Sequence, residues 1–330
     1  MMTGMNGLER VRACVRNSTP DRTPYLRWDN FELSDFVTDW ARPTESPAGP
    51  PPRWTDEWGC GWETVDTSLG QVVSHPIRSA EDYAGFQVPE PRIDEPNLQA
   101  NRDEYGDRVC QGGLGFFFFE RLEKVREFSG AMMDLAAERD RLDPFLDRLQ
   151  AHYIAHVDLY ADSGLVDCIG VNEDLGLQDR LTISPAMWRE VFKPRYQAVY
   201  DRAHERGLMV FQHSCGFVQD IVADFAEIGV DILELQQLAC MDMEVVAQNR
   251  GRMTITAPVD IQTVLPTGDW PRIEAFQKRL FRTFDTTTGG FIPQIYCDIA
   301  TLGISESLGR RLEDRIMQLC RWRDDPGVLV

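Results

Sequence analysis

Val210-Phe211-Gln212-His213-Ser214-Cys215-Gly216 starts as an apolar strand and stops on a glycine. His213 and Cys215 stand at i and i+2, so an extended backbone points both side chains to one face. An imidazole beside a thiolate at a strand end supplies two parts of a zinc site. Cys297 offers a third, at the end of the apolar run Gly290-Phe291-Ile292-Pro293-Gln294-Ile295-Tyr296-Cys297. Two strands of one sheet, each delivering ligands at its carboxyl end, close a His/Cys/Cys set with one position open. That openness marks a catalytic rather than a structural zinc. His-x-Cys alone reads equally as buried core, because a free cysteine packs as a small apolar residue. The surroundings of the stretch decide between the two.

From about residue 107 onward, short apolar runs alternate with helical periods. Strands are expected within 107–119, at Val166–Val171, Leu208–His213, Asp231–Leu235, Met253–Ala257 and Gly290–Tyr296. Helices are expected at Val125–Leu135, Leu142–Gly164, Ser184 to about Arg206, Val218–Ile228, Met241–Gly251, Trp270–Phe284 and Glu306–Arg321. In the second of these, Phe145, Leu149, Tyr153 and Val157 share one face. The first hundred residues read differently. A short helix at 8–18 and a strand at Tyr25–Trp28 precede a segment, Ala41–Trp54, that carries five prolines. A loose hairpin at 65–77 and another proline-rich stretch at 86–97 follow.

Repeated strand–helix order implies a parallel sheet with helices outside. Counting Tyr25–Trp28, seven strands are visible and one is hidden among the irregular residues. The fold class expected is therefore α/β, a (β/α)8 TIM-type barrel with an irregular N-terminal cap. All 330 residues form one domain in this reading, with 1–105 as the arm plus the first strand. Active sites of such barrels lie at the carboxyl ends of the strands. His213, Cys215, Glu234, Asp260 and Cys297 all fall there, which core cysteines placed at random would not do.

Composition sets the remaining bounds. With 34 basic and 53 acidic residues the net charge is -19, and no basic stripe exists to neutralise phosphates, so nucleic acid is excluded as a partner. No apolar run reaches a membrane span, and Met1–Arg12 has no signal-peptide core. Eight scattered cysteines without a CxxC pair point to thiols in a reducing, cytoplasmic compartment.

About half of the chain, from residue 160 to 317, resembles the uroporphyrinogen decarboxylase superfamily in its methyltransferase branch. The matching segments are Asn172-Glu173-Asp174-Leu175-Gly176-Leu177-Gln178, Ile183–Trp188, Lys193-Pro194-Arg195-Tyr196, His213-Ser214-Cys215-Gly216, Ile228–Leu233 and Val259-Asp260-Ile261-Gln262. Asp56-Glu57-Trp58-Gly59 and Trp62 look like the N-terminal region of that family. True decarboxylases of the superfamily carry an Arg-Gln-Ala-Gly-Arg signature on the first barrel strand, where this chain reads Pro24-Tyr25-Leu26-Arg27-Trp28-Asp29. The coenzyme M methyltransferases and their corrinoid-linked relatives instead carry His-x-Cys and a late cysteine that bind zinc, and this chain has all three residues.

The resemblance implies a zinc-dependent enzyme that moves a methyl group between a corrinoid and a small thiol, methoxy or methylamine substrate. The alternative it leaves is a decarboxylase or lyase acting on a tetrapyrrole-like acid. Asp-x-His-x-x-Gly, the corrinoid-binding motif, is absent, so a separate corrinoid protein is implied as partner. Superfamily members are often homodimers. Glu234 is offered as a fourth, resting zinc ligand or as a hydrogen-bonded rim carboxylate. Glu173, Asp174 and Asp260 are offered as catalytic or substrate-orienting acids, and Gln262 as a pocket residue. Asp174 equally caps the following turn. Trp58, Trp62 and Phe118 read as core or pocket wall, and His152 and His156 as surface or packing histidines.

Overall fold

The computed structural model describes residues 4–28, 34–39, 53–64, 70–296 and 302–329. Eleven strands are found there: β1 Leu26–Arg27, β2 Phe36–Asp39, β3 Arg53–Thr55, β4 Gly61–Glu63, β5 Gln71–Ser74, β6 Val109–Phe116, β7 Cys168–Asn172, β8 Met209–Ser214, β9 Ile232–Leu235, β10 Thr254–Ala257 and β11 Phe291–Ile295. Eight of them form one all-parallel sheet in the order β1-β11-β10-β9-β8-β7-β6-β2. Its two ends are sequence neighbours, so the sheet curls into a nearly closed (β/α)8 barrel.

The hidden strand is β2. It follows β1 after only eight residues, too few for the strand–helix rhythm to give it a signal. Short-range bonds stitch this seam. Asp35 N–H donates to Tyr25 O at 2.8 Å, Tyr25 N–H donates to the Asp35 carboxylate at 2.9 Å, and Arg27 N–H donates to Ser34 Oγ at 3.1 Å. Arg10 and Arg22 neutralise Asp35 from either side, at 2.5 and 2.9 Å.

Of the proline-rich segment expected at 41–54, residues 41–52 lie outside the described residues, as do 65–69 of the expected hairpin, and the rest of the N-terminal hundred residues holds more regular structure than expected. β3, β4 and β5 make a separate antiparallel sheet. Eleven helices accompany the strands. The first, α1, is Gly7–Val15, and α2, Glu95–Tyr105, begins inside the proline-rich stretch. Asp94 caps α2 and Pro96 sits in its first turn, where a missing N–H costs nothing. The others are α3 Phe118–Arg126, α4 Phe128–Ala137, α5 Arg139–Ser163, α6 Pro185–Val191, α7 Lys193–Glu205, α8 Val222–Glu227, α9 Met243–Val246, α10 Trp270–Phe284 and α11 Glu306–Leu319.

Two packed regions result. Outside the barrel, α5 buries the expected stripe of Phe145, Leu149, Tyr153 and Val157. Inside, Leu26, Phe36, Val109, Cys168, Phe211, Ile232 and Ile292 fill the lower barrel together with Val11 and Cys14 of α1. Helix α1 closes that end, with Leu8 N–H donating to Asp107 O at 2.9 Å. The amino end of the barrel is thus a plugged apolar core, and chemistry is left to the carboxyl end.

Candidate metal and active site

Alternation along the strands fixes which side chains enter the upper barrel. Phe211 and Ile232 belong to the interior, so His213 on β8 and Glu234 on β9 face inward one layer higher. Asn172 of β7, His213 and Glu234 are register partners across three adjacent strands.

The His213 ring is held on both sides. Nδ1 lies 3.0 Å from Glu234 Oε2, and Nε2 lies 3.2 Å from Asp174 Oδ1 and 3.4 Å from Cys215 Sγ. The Cys215 backbone N–H also donates to Asp174 Oδ1 at 3.0 Å. Burial pushes the His213 pKa down, but Glu234, Asp174 and Cys215 outweigh it and the pKa stands well above the ordinary value. Burial raises Asp174, yet its bond to His213 brings the carboxyl below the usual carboxylate range. Burial raises the Cys215 thiol, partly offset by His213.

Two loops cross to present this cluster. Gly176 N–H donates to Cys215 O at 3.1 Å and Phe217 N–H donates to Leu177 O at 2.7 Å. Gly216 adopts φ 73°, and a Cβ there would sit 2.1 Å from Gly176 O. Only glycine permits that approach of the two backbones.

Asp174, His213 and Cys215 each offer one ligand atom, and the three atoms lie within 4.8 Å of one another. Zinc with bonds of about 2.0–2.3 Å in a tetrahedron holds its ligand atoms roughly 3.2–3.8 Å apart. The observed 3.2 and 3.4 Å separations therefore fit, as does the donor set of one imidazole, one thiol and one carboxylate. Glu234 stands on the opposite ring nitrogen, outside this cluster. A carboxylate on the second nitrogen is the usual support of a metal-bound histidine, since it fixes tautomer and orientation. Cys297 lies outside the described residues.

The remaining expected residues fall into place as follows. Glu173 is fully buried with Oε1 accepting from Glu120 N–H at 2.7 Å, while Oε2 has no partner among the described residues. Burial, and then Glu120, holds its carboxyl well above the usual range. Asp260 faces its own turn, accepting from Gln262 N–H at 2.8 Å, Thr263 N–H at 3.1 Å and the Thr263 hydroxyl. Gln262 meets Cys240 Sγ at 3.6 Å, and Gln178 meets the same sulfur at 3.5 Å. Trp58, Trp62 and Phe118 are buried, and Trp62 stacks on Phe116 at the barrel mouth, with ring centroids 6.0 Å apart.

Two acids were not foreseen. Glu120 and Glu123 sit on α3, which begins at the end of the 107–119 stretch expected to contain a strand. Burial pushes both up to about 7, aided by Asp174 in the case of Glu120. An acid three residues into a helix after a phenylalanine run was the available signal.

Residues 117–303, more than half of the chain, match the family described as Uroporphyrinogen decarboxylase (URO-D). The chain belongs to that family. Among solved structures, a methyltransferase from Methanosarcina mazei is similar over 88% of this chain and 92% of its own, at 16% identity and a TM-score of 0.66. An intracellular xylanase from Thermoanaerobacterium saccharolyticum covers 64% of this chain and 72% of its own, at 15% identity and a TM-score of 0.39. No curated protein matches the chain. Among the described residues, no helix is long and apolar enough to cross a membrane.

Proposed function

We propose that the protein is a zinc-dependent methyltransferase working with a corrinoid carried by a separate protein. Its other substrate is a small thiol, methoxy compound or methylamine. The observation that carries this reading is the His213–Cys215–Asp174 cluster at the barrel mouth, backed by Glu234. Family membership and the fold shared with the Methanosarcina mazei methyltransferase support it. The decarboxylase alternative asks for cations on the first strand facing an acidic substrate, yet Arg27 there is ion-paired with Glu313 at 2.5 Å.

His213, Cys215 and Asp174 would hold the zinc, with Cys297 as a further proposed ligand. Bound there, zinc supplies Lewis acidity toward a substrate sulfur, oxygen or nitrogen. The chain's own residues do the rest. Glu234 keeps Nδ1 protonated so that Nε2 faces the cluster. Asp174 fixes the Cys215 backbone as well as facing the ring. Asp260 holds the turn after β10 and shapes the rim.

The barrel core is complete without the site, so metal removal should leave the fold standing. Dialysis against a chelator is expected to abolish methyl transfer from methylcobalamin to thiols, read as loss of the methylcobalamin absorption, with far-UV circular dichroism unchanged. Zinc should restore turnover. Full turnover after chelation would refute the zinc requirement, and unfolding on chelation would make the metal structural.

A further inference from the structure

Helix α3 buries a cation that no acid answers. Arg121 is 2% exposed, and its Nε and Nη1 have no hydrogen-bond partner among the described residues. It forms no ion pair with any of them either. Its guanidinium carbon instead lies 4.0 Å from the centroid of the Trp58 ring and 5.5 Å from that of Phe116. An arginine keeps its charge when buried. The desolvation of a guanidinium outweighs one stack on an aromatic ring, so the fold leaves this charge uncompensated.

A second cation stands beside it. Lys124 is three residues on, on the same face of α3, and its Nζ lies 5.1 Å from the same Phe116 centroid. Glu120 and Glu123 of this helix feel the Lys124 charge, yet neither forms an ion pair with Lys124 or Arg121. Lys124 and Phe116 are half-buried, so the place where both cations meet the ring borders solvent. Trp62 stacks on Phe116 and Trp54 on Trp62, with centroids 6.0 and 5.7 Å apart, which makes the surroundings aromatic. Phe116 ends β6 and pairs in register with Asn172, which pairs with His213. Two strand spacings put this edge at the level of the metal cluster and about 10 Å round the barrel from it.

We infer that Arg121, with Lys124 beside it, binds the carboxylate of a small organic acid. A planar guanidinium meets a carboxylate edge to edge. One buried positive charge is balanced by a monoanion, whereas a phosphate dianion would carry excess charge into aromatic surroundings. The rings take the organic part. The inference deepens the reading above and rests on it only for the far end of the molecule. The substrate then carries its thiol, methoxy or amine group at the metal cluster and its carboxylate at Arg121. The carboxylate site itself needs no metal.

The test melts full-length, metal-free protein with benzoate, benzamide or phosphate at one ionic strength and pH. Benzoate at ten times its Kd should raise the melting temperature by about 2 °C, and benzamide and phosphate should not. By calorimetry, benzoate affinity should fall about tenfold or more in Arg121→Met and about threefold in Lys124→Met. Ligand-free Arg121→Met should melt no lower than wild type, because it removes an uncompensated charge. A purely structural stack on Trp58 predicts that it melts lower. The inference is overturned by a wild type that benzoate does not stabilise, by stabilisation with phosphate alone, by unchanged affinity in either variant, or by a ligand-free Arg121→Met that melts well below wild type. In zinc-loaded protein, methyl transfer from methylcobalamin is compared for 4-mercaptobenzoate and thiophenol. The ratio of their kcat/KM values should fall about tenfold in Arg121→Met, and an unchanged ratio overturns the substrate assignment. Wild-type protein that methylates neither thiol while still binding benzoate refutes the metal reading and leaves the carboxylate site standing.

Discussion

Replacing His213 with alanine is expected to lower zinc affinity by on the order of a thousandfold or more, because the imidazole is the hub of the cluster. It touches Asp174, Cys215 and Glu234 at 3.2, 3.4 and 3.0 Å. Equilibrium dialysis with a zinc indicator reads the effect. The same substitution leaves Glu234, 4% exposed, without its partner. A buried carboxylate stripped of its partner costs about 3 kcal/mol in typical cases. His213→Gln separates the two consequences, since an amide N–H still reaches toward Glu234 and should recover much of the stability without the zinc. Undiminished zinc affinity in both variants would remove His213 from the metal site.

The second large effect lies away from the site, in acid stability. His156 is 7% exposed, its ring stacked on Tyr160 with centroids 5.1 Å apart, and neither ring nitrogen has a hydrogen-bond partner among the described residues. Burial pulls its pKa down to about 4, and that of its neighbour His152 likewise to about 4. The sign follows directly. With a folded pKa below the unfolded value of about 6.5, the unfolded chain takes up the proton first. Stability is therefore complete above about pH 6.5 and is lost as pH falls toward 4. One histidine so shifted accounts for up to about 3 kcal/mol. His156→Phe keeps the stack and removes the titration. Urea unfolding at pH 7.5 and pH 4.5 should show the variant gaining about 2–3 kcal/mol on the wild type between the two. Glu120 and Glu123, raised to about 7, act with the opposite sign but equally in both proteins and cancel. A difference independent of pH would contradict a buried neutral His156.

These histidines also show where sequence reading stops. Their i, i+4 spacing put them on one helix face, but a surface position and a buried one were equally compatible with it. Only the cover of the Trp58 ring, 5.1 Å from His152, and of the Pro89 carbonyl, 2.9 Å from its Nδ1, decides for burial. The late strands were legible because each alternating or apolar run ended in a glycine or a charged residue before a helical period. β2 was not, since a strand of four residues carries no period. The helix expected at Val125–Leu135 is broken at Glu127, which takes φ 71° and caps α4 through its bond from Gly130 N–H. No residue type in Arg126-Glu127-Phe128 announces that break.

Within the site, His213 and Cys215 were legible because β spacing puts i and i+2 together. Asp174 does not cap the turn that follows it; its Oδ1 faces the Cys215 N–H of another loop and the His213 ring, contacts that no local pattern announces. Glu234 was offered as a ligand or a rim carboxylate; it meets His213 Nδ1, outside the Asp174–His213–Cys215 cluster, a contact set by strand register that no local pattern encodes. Arg121 carries no motif at all. Its significance is its missing partner, which only packing reveals.

X-ray absorption at the zinc edge of the purified protein tests the metal reading most directly. The expected resting shell contains nitrogen or oxygen neighbours from His213 and Asp174 and about two sulfur neighbours near ~2.3 Å, from Cys215 and Cys297. A thiol substrate should raise the sulfur count to about three, whereas a methoxy or amine substrate should change only the light-atom shell. A shell without sulfur, or one that no thiol, methoxy or amine compound alters, would contradict a catalytic zinc at His213 and Cys215.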